Sequence, residues 1–231
     1  PDVNRMIYLY HQTIVRHNAA TQSNQLLPNG SAKSIILFAK SVFRDNSAPS
    51  GIDKNQCQAF ITCISDFVLT FVEDAIKSSS SARHELVKWK SDLLKLRGLS
   101  RLHKHNRMIM FMTGPGGAGK SYVLQQILNY AQLFCDEINQ PFDKRTIVVT
   151  ALTGVAATQV RGETVHSALK ISPRRGLQKC MVNSASAIEL AKEWQNCRLV
   201  IIDEISFANE ALLKNIYKAL EILKDNRYEK Y

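Results

Sequence analysis

The residues best suited to chemistry lie in "GPGGAGKS", Gly114 to Ser121. Glycines at 114, 116, 117 and 119 crowd into six positions, and Lys120 and Ser121 follow at once. Glycine surrenders more backbone freedom on folding than any other residue, so such a cluster needs a cause. The pattern G-x-x-x-x-G-K-[ST] supplies one. A strand stops, the chain curls around phosphate oxygens, and a helix starts with its free N–H groups aimed inward. Gly114, Pro115, Gly116, Gly117, Ala118 and Gly119 form the cradle, because larger side chains would block the backbone from the phosphates. Lys120 reaches the β and γ phosphates as a point charge, and Ser121 offers its hydroxyl to Mg²⁺. The expected ligands are ATP and Mg²⁺.

A phosphate loop calls for a second, acidic site at the end of a neighbouring strand. "LVIIDE" provides it about 85 residues further on. Four apolar residues lead to Asp203, placed to hold Mg²⁺ through water, and Glu204, placed to polarise an attacking water. Lys120 and Glu204 are the catalytic candidates. Paired acids favour a hydrolase over a small-molecule kinase, which has less need of a general base beside the metal ligand.

Between the two lies "VVTALTGVAATQVRGETVHSALKI", Val148 to Ile171. It predicts a strand ending in hydroxyl and glycine residues, a short helix, then a loop carrying Thr164, His166 and Ser167. Small residues and hydroxyls at a sheet's carboxyl edge suit contact with a sugar–phosphate backbone. They suit ordinary packing of a small-residue helix with a surface histidine equally well.

The elements that must position these groups follow from hydrophobic period. Ile109 to Met112 is a short apolar run before the glycines, expected to be a buried strand. Ser121 to about Phe134 has helical spacing. "RTIVVTA" and "RLVIIDE" predict strands, the second of them buried, and Ala208 to Leu223 an amphipathic helix. Strands alternating with helices imply a parallel sheet with crossover connections. Upstream, Phe60, Ile64, Phe67, Val68 and Phe71 recur at helical spacing after Ile52, and "SSSSAR" interrupts as a loop. "SIILFAKSVF" is too short for its period to separate helix from strand. Turn-rich "LLPNGSAK" and "RDNSAPSG" flank it. "HELVKWKSDLLKLRGLSRLHKHNR" is a basic, partly helical link. Its excess of Lys and Arg is either a solvated helix face, the simpler case, or a phosphate-binding surface.

Composition bounds the answer. The chain has 231 residues, 45% of them hydrophobic, which is enough to bury a sizeable core. Thirty Lys and Arg against 20 Asp and Glu give a net charge of +10, which suits a polyanionic partner. The five cysteines are scattered, with no C-x-x-C pair, as in an intracellular protein with reduced thiols. No apolar stretch reaches the roughly 18 residues that span a bilayer, so no membrane partner is expected. The chain opens on Pro1, and is expected to be a fragment with sequence upstream.

Together, "GPGGAGKS", "TALTGVAATQVRGETVHSAL" and "LVIIDEIS" resemble the Pif (petite integration frequency) family of superfamily-one DNA helicases, which includes helicase modules of mobile elements. The likeness covers roughly Met108 to Glu221. "GIDKNQCQAF" is similar to the family's adenine-reading segment, in which two residues separate a glutamine from A-F, and this implies that Gln56 contacts adenine. The resemblance implies an α/β fold: a parallel-sheet P-loop (recA-like) ATPase domain at 108–231, behind a mostly helical extension. That extension divides into 1–50 and a helical, basic segment at 51–107. The implied activity is an ATP-dependent 5′-to-3′ DNA helicase, nuclear or mitochondrial, serving repair, recombination or telomere maintenance. Thr153, Gly154, Thr164, His166 and Ser167 are implied to face single-stranded DNA, in keeping with the basic charge. The family continues with a strand ending in Gly-Asp, a γ-phosphate-sensing glutamine and a second recA-like domain. The 231 residues end at "KDNRYEKY" without them, and so are expected to bind ATP weakly and turn it over negligibly. Two alternatives stand beside this: another P-loop ATPase of AAA+ or RecD type, and a non-catalytic DNA-binding remnant of a mobile element.

Overall fold

The computed structural model describes residues 29–47, 51–78, 82–98, 108–172 and 185–223. The chain forms two compact units, Pro1–Phe142 and Asp143–Tyr231. The expected boundaries at 50/51 and 107/108 both fall inside the first.

The first unit is built from helices. The ambiguous "SIILFAKSVF" is helix α1, Ala32–Val42, and its start explains why. The Ser31 hydroxyl accepts the Ser34 N–H at 3.2 Å, an N-cap, and itself donates to the Asn29 side chain at 2.9 Å. Ile35, Phe38 and Ala39 then fall on one buried face. Helix α2, Lys54–Ser78, opens where the Asp53 carboxylate accepts the Asn55 and Gln56 amides, each at 2.9 Å. The residues expected on its inner face, Phe60, Ile64, Phe67, Val68 and Phe71, are all buried. Helix α3, Arg83–Arg97, contributes Leu86, Trp89 and Leu93, and ends at Gly98, whose φ of 67° suits a glycine C-cap. Helix α4, Lys120–Glu137, adds Val123, Ile127, Tyr130 and Phe134. Phe38, Phe60 and Tyr130 form one aromatic cluster; Phe67, Phe71 and Phe134 form a second. Each such ring removed from water stabilises the unit by about 1.5–3 kcal/mol.

The basic link is largely a packed helix. Arg97 reaches Asp66 of α2 at 2.6 Å, with both side chains nearly buried, and Lys90 reaches Glu73 at 2.6 Å. Burial raises the Asp66 pKa above the ordinary carboxylate value, against the lowering effect of the Arg97 hydrogen bond and charge. Lys88 stays exposed. Arg101, Lys104 and Arg107 of the link lie outside the described residues, as do 79–81 of the expected loop.

The expected buried strand at Ile109–Met112 is not formed. The run joins no ladder among the described residues, and Ile109 and Phe111 are 79% and 67% exposed. Side chains still alternate. Met110 is half-buried, with the Cys63 thiol 3.8 Å from its sulfur. Four apolar residues can fix an extended backbone, yet a strand also needs a paired neighbour, which the run itself does not encode.

The second unit carries a three-stranded parallel sheet of order β2-β1-β3: β1 Ile147–Ala151, β2 Glu163–Thr164 and β3 Leu199–Asp203. β1 is central and mostly buried. β3, expected to be buried, is half-buried along its length, and among the described residues it pairs with β1 alone. Between strands run α5 Gly154–Gln159, α6 Val165–Ala168 and α7 Ala185–Trp194; α8, Glu210–Leu223, follows β3. Val148, Val165, Leu169, Leu190, Ile216, Ala219 and Leu223 are the core. Among the described residues no helix is long and apolar enough to cross a membrane.

Candidate nucleotide and nucleic-acid sites

In the first unit, the glycine segment turns directly into α4. Gly117 and Gly119 have φ of 77° and 78°, in the left-handed region that favours glycine, with Ala118 between them. Alternation of this kind turns successive amides to one side, a backbone nest for anions. Among the described residues the amides of Gly116, Gly117 and Gly119 meet no acceptor, and no side chain caps the helix at Gly119. Lys120 and Ser121 add first-turn amides that lack intrahelical partners. A Cβ built at Gly116 or Gly117 would meet nothing within 4 Å, so the space over the nest is open. Lys120 Nζ lies over the loop, donating to the carbonyls of Gly114 at 2.8 Å and Pro115 at 2.9 Å. Free amides, a cation and the exposed Ser121 hydroxyl fit a triphosphate with its magnesium.

Gln56 stands beside this loop. Its Nε2 donates to the Ala118 carbonyl at 3.2 Å, and a Cβ on Gly119 would sit 2.5 Å from the same nitrogen. The structure thus brings together Gln56 and the loop, 62 positions apart in sequence.

The remaining candidates lie in the second unit, at the carboxyl edge of the sheet. Ala151 pairs with Thr164 on one side and Asp203 on the other. Two ladder spacings therefore separate Thr164 from Asp203, roughly 10 Å. Asp203 ends β3, and its Oδ1 accepts the Glu204 N–H at 2.9 Å. Glu204 has φ 54°, uncommon for a residue with a side chain and of the kind found at functional sites. Thr153 and Thr164 each accept an amide, from Ala156 and Ser167, at 3.2 Å. Their hydroxyl protons remain available to donate. Gly154 starts α5 and is exposed. His166 and Ser167, expected on a loop, sit instead on α6, because Thr164 caps a helical turn there.

Sequence reasoning passed over two positioning residues. Arg145 donates to Glu163 and Glu193, each at 2.9 Å, tying the start of β2 and α7 to the turn before β1. Thr150 donates from β1 to the Ile201 carbonyl of β3 at 3.0 Å. A single basic residue and a strand threonine carry no sequence signal of such partners.

A glycine nest feeding a long helix, and acids at the carboxyl edge of a parallel sheet, are parts of a P-loop nucleoside triphosphatase. The family model of PIF1-like helicases matches residues 97–231, and the chain belongs to that family. It is 30% identical over 122 residues to the ATP-dependent DNA helicase RRM3 of Saccharomyces cerevisiae, covering 52% of this chain and 16% of that one. It is 34% identical over 108 residues to ATP-dependent DNA helicase PIF1 of Homo sapiens, covering 46% and 15%. It is also 30% identical over 118 residues to uncharacterized protein 030L of Invertebrate iridescent virus 6, covering 50% and 21%. The aligned stretch thus spans only 15–21% of those relatives' length. No solved structure matches the chain.

Proposed function

We propose that these residues are the ATP-binding, recA-like part of an ATP-dependent DNA helicase, with hydrolysis coupled to 5′-to-3′ movement on single-stranded DNA. The observation that carries this is the nest at Gly117–Gly119, with unspent amides, open space above and Lys120 across it. Main-chain donors and a fixed cation grip the triphosphate irrespective of its base, while Gln56, lodged against Ala118, is the adenine contact. Ser121 in the first unit and Asp203 in the second are each proposed as a magnesium ligand, and the ion would supply charge neutralisation on the phosphates. Glu204 orients and deprotonates the attacking water, its side chain set by the left-handed backbone. Thr153, Gly154, Thr164, His166 and Ser167 meet the sugar–phosphate backbone, with a chain of net charge +10 behind them. The work served is DNA repair, recombination or telomere maintenance in the nucleus or mitochondrion.

The test is a MgATP titration of the unaltered protein against Lys120→Ala, with melting followed in parallel. The reading expects binding that falls at least tenfold in the variant at unchanged melting. Equal affinities would favour a DNA-binding module without nucleotide chemistry.

A further inference from the structure

We infer that Tyr122 is a positioning residue for the phosphate loop. It acts as a latch that fastens the first turn of α4 to the connection between α1 and α2. The inference rests on the nucleotide-binding reading above. Tyr122 directly follows Lys120 and Ser121, yet the partners of its side chain lie outside the loop, at the end of α1. Its hydroxyl donates to the Val42 carbonyl at 3.0 Å, and its ring meets Phe43 edge-to-face, centroids 5.7 Å apart at 87°. Val42 is the last residue of α1, and carbonyls in the final turn of a helix lack intrahelical donors. Tyr122 satisfies one of them.

Phe43 makes the anchor rigid. It is 1% exposed and packs on Phe60 of α2 with centroids 5.5 Å apart. Its carbonyl accepts the Asp53 N–H at 3.1 Å. Asp53 in turn caps the turn that carries Gln56, and Gln56 returns to the loop at Ala118. The contacts close a ring: Tyr122, Val42 and Phe43, Asp53, Gln56, Ala118, then back along the chain through Lys120. The distal half of the loop is therefore held at two points, Ala118 and Tyr122. The proximal half, from Gly114 to Gly117, is held within the loop itself, by Lys120 Nζ and by the Ala118 N–H on Pro115. A loop anchored to neighbouring helices at its distal end and held only by its own bonds at the proximal end can admit phosphates without losing the direction of its helix amides.

The experiment compares Tyr122→Phe, which keeps the ring on Phe43 and removes only the hydroxyl, with the unaltered protein and with Gln56→Ala. Hydrogen exchange is read without nucleotide at the amides of Ala118 and Val123, which bond to Pro115 and Gly119. Losing one neutral hydrogen bond should speed their exchange about three- to tenfold, and weaken MgATP binding by a similar factor. Exchange at Phe60–Phe71 in α2 should speed less than at Ala118 and Val123, and the urea midpoint should fall by no more than that one bond, which separates positioning from a general loss of stability. Unchanged exchange at Ala118 and Val123, acceleration spread evenly through the unit, or faster exchange with unaltered MgATP affinity would each overturn the inference. If the unaltered protein takes up no MgATP, the nucleotide reading falls, and the exchange arm alone decides whether Tyr122 holds the loop.

Discussion

Gly119→Ala separates backbone conformation from mere smallness in the phosphate loop. Gly119 has φ 78°, and an L residue with a Cβ pays about 1–2 kcal/mol there. The added methyl would also sit 2.5 Å from Gln56 Nε2. Being the far end of a flexible side chain, that amide would swing aside and lose its bond to the Ala118 carbonyl, about 1 kcal/mol more. If the folded nest is the binding-competent form, the sum of about 2–3 kcal/mol appears as an affinity loss of about 30- to 150-fold. Gly116→Ala is the matched comparison. Its φ is not left-handed and its methyl would meet nothing, so the ligand-free protein should melt unchanged. MgATP affinity should still fall, because the methyl stands where phosphate must approach the amides. Calorimetric titration and thermal melts of both variants read these effects. Parent-like affinity in Gly119→Ala would refute the argument that the nest's conformation does the binding.

Three further outcomes are expected. Arg97→Met leaves Asp66 buried without its partner and should cost about 3–5 kcal/mol at pH 7 by urea unfolding. Burial raises the Asp66 pKa, so the native state holds its proton to higher pH than the unfolded chain; stability is greatest below the unfolded value near 4 and declines as pH rises through the folded one. Removing Arg97 raises that pKa further, so the cost of the substitution should shrink toward pH 4; a pH-independent cost would contradict this. Gly162→Ala would drive its Cβ onto the Val149 carbonyl of β1, backbone against backbone, and should cost about 1–3 kcal/mol; a melt like the parent's would contradict that. Burial, with a smaller effect from Asp66, pushes the Cys63 thiol up to about 12, so mass spectrometry should find it unalkylated by iodoacetamide at pH 8.5 until urea unfolds the protein.

Much of the second unit was legible because its signals are local. "TIVVTA" and "LVIID" are apolar and β-branched between turn residues, and both form strands of the parallel sheet. The helix after the glycines and the one after β3 follow from spacing alone. The glycine segment was legible for a different reason, since its left-handed positions admit few other residues. What escaped depends on partners distant in sequence. Among the described residues Ile109–Met112 has a strand's composition but joins no ladder, and β3, with β1 as its only ladder partner there, is half-buried. Glu204's left-handed backbone has no compositional mark. Thr153 and Thr164 each precede a short helix with the spacing of an N-cap, a local signal that competes with their reading as contact residues.

The proposed nucleotide binding rests on main-chain amides gripping a triphosphate. Backbone amide NMR of the ¹⁵N-labelled chain, titrated with MgATP, observes those groups directly. The prediction is that the amides of Gly116, Gly117, Gly119, Lys120 and Ser121 shift most and saturate together, and that Lys120→Ala weakens the whole set. Shifts scattered elsewhere, with these five amides unmoved at saturating nucleotide, would contradict it.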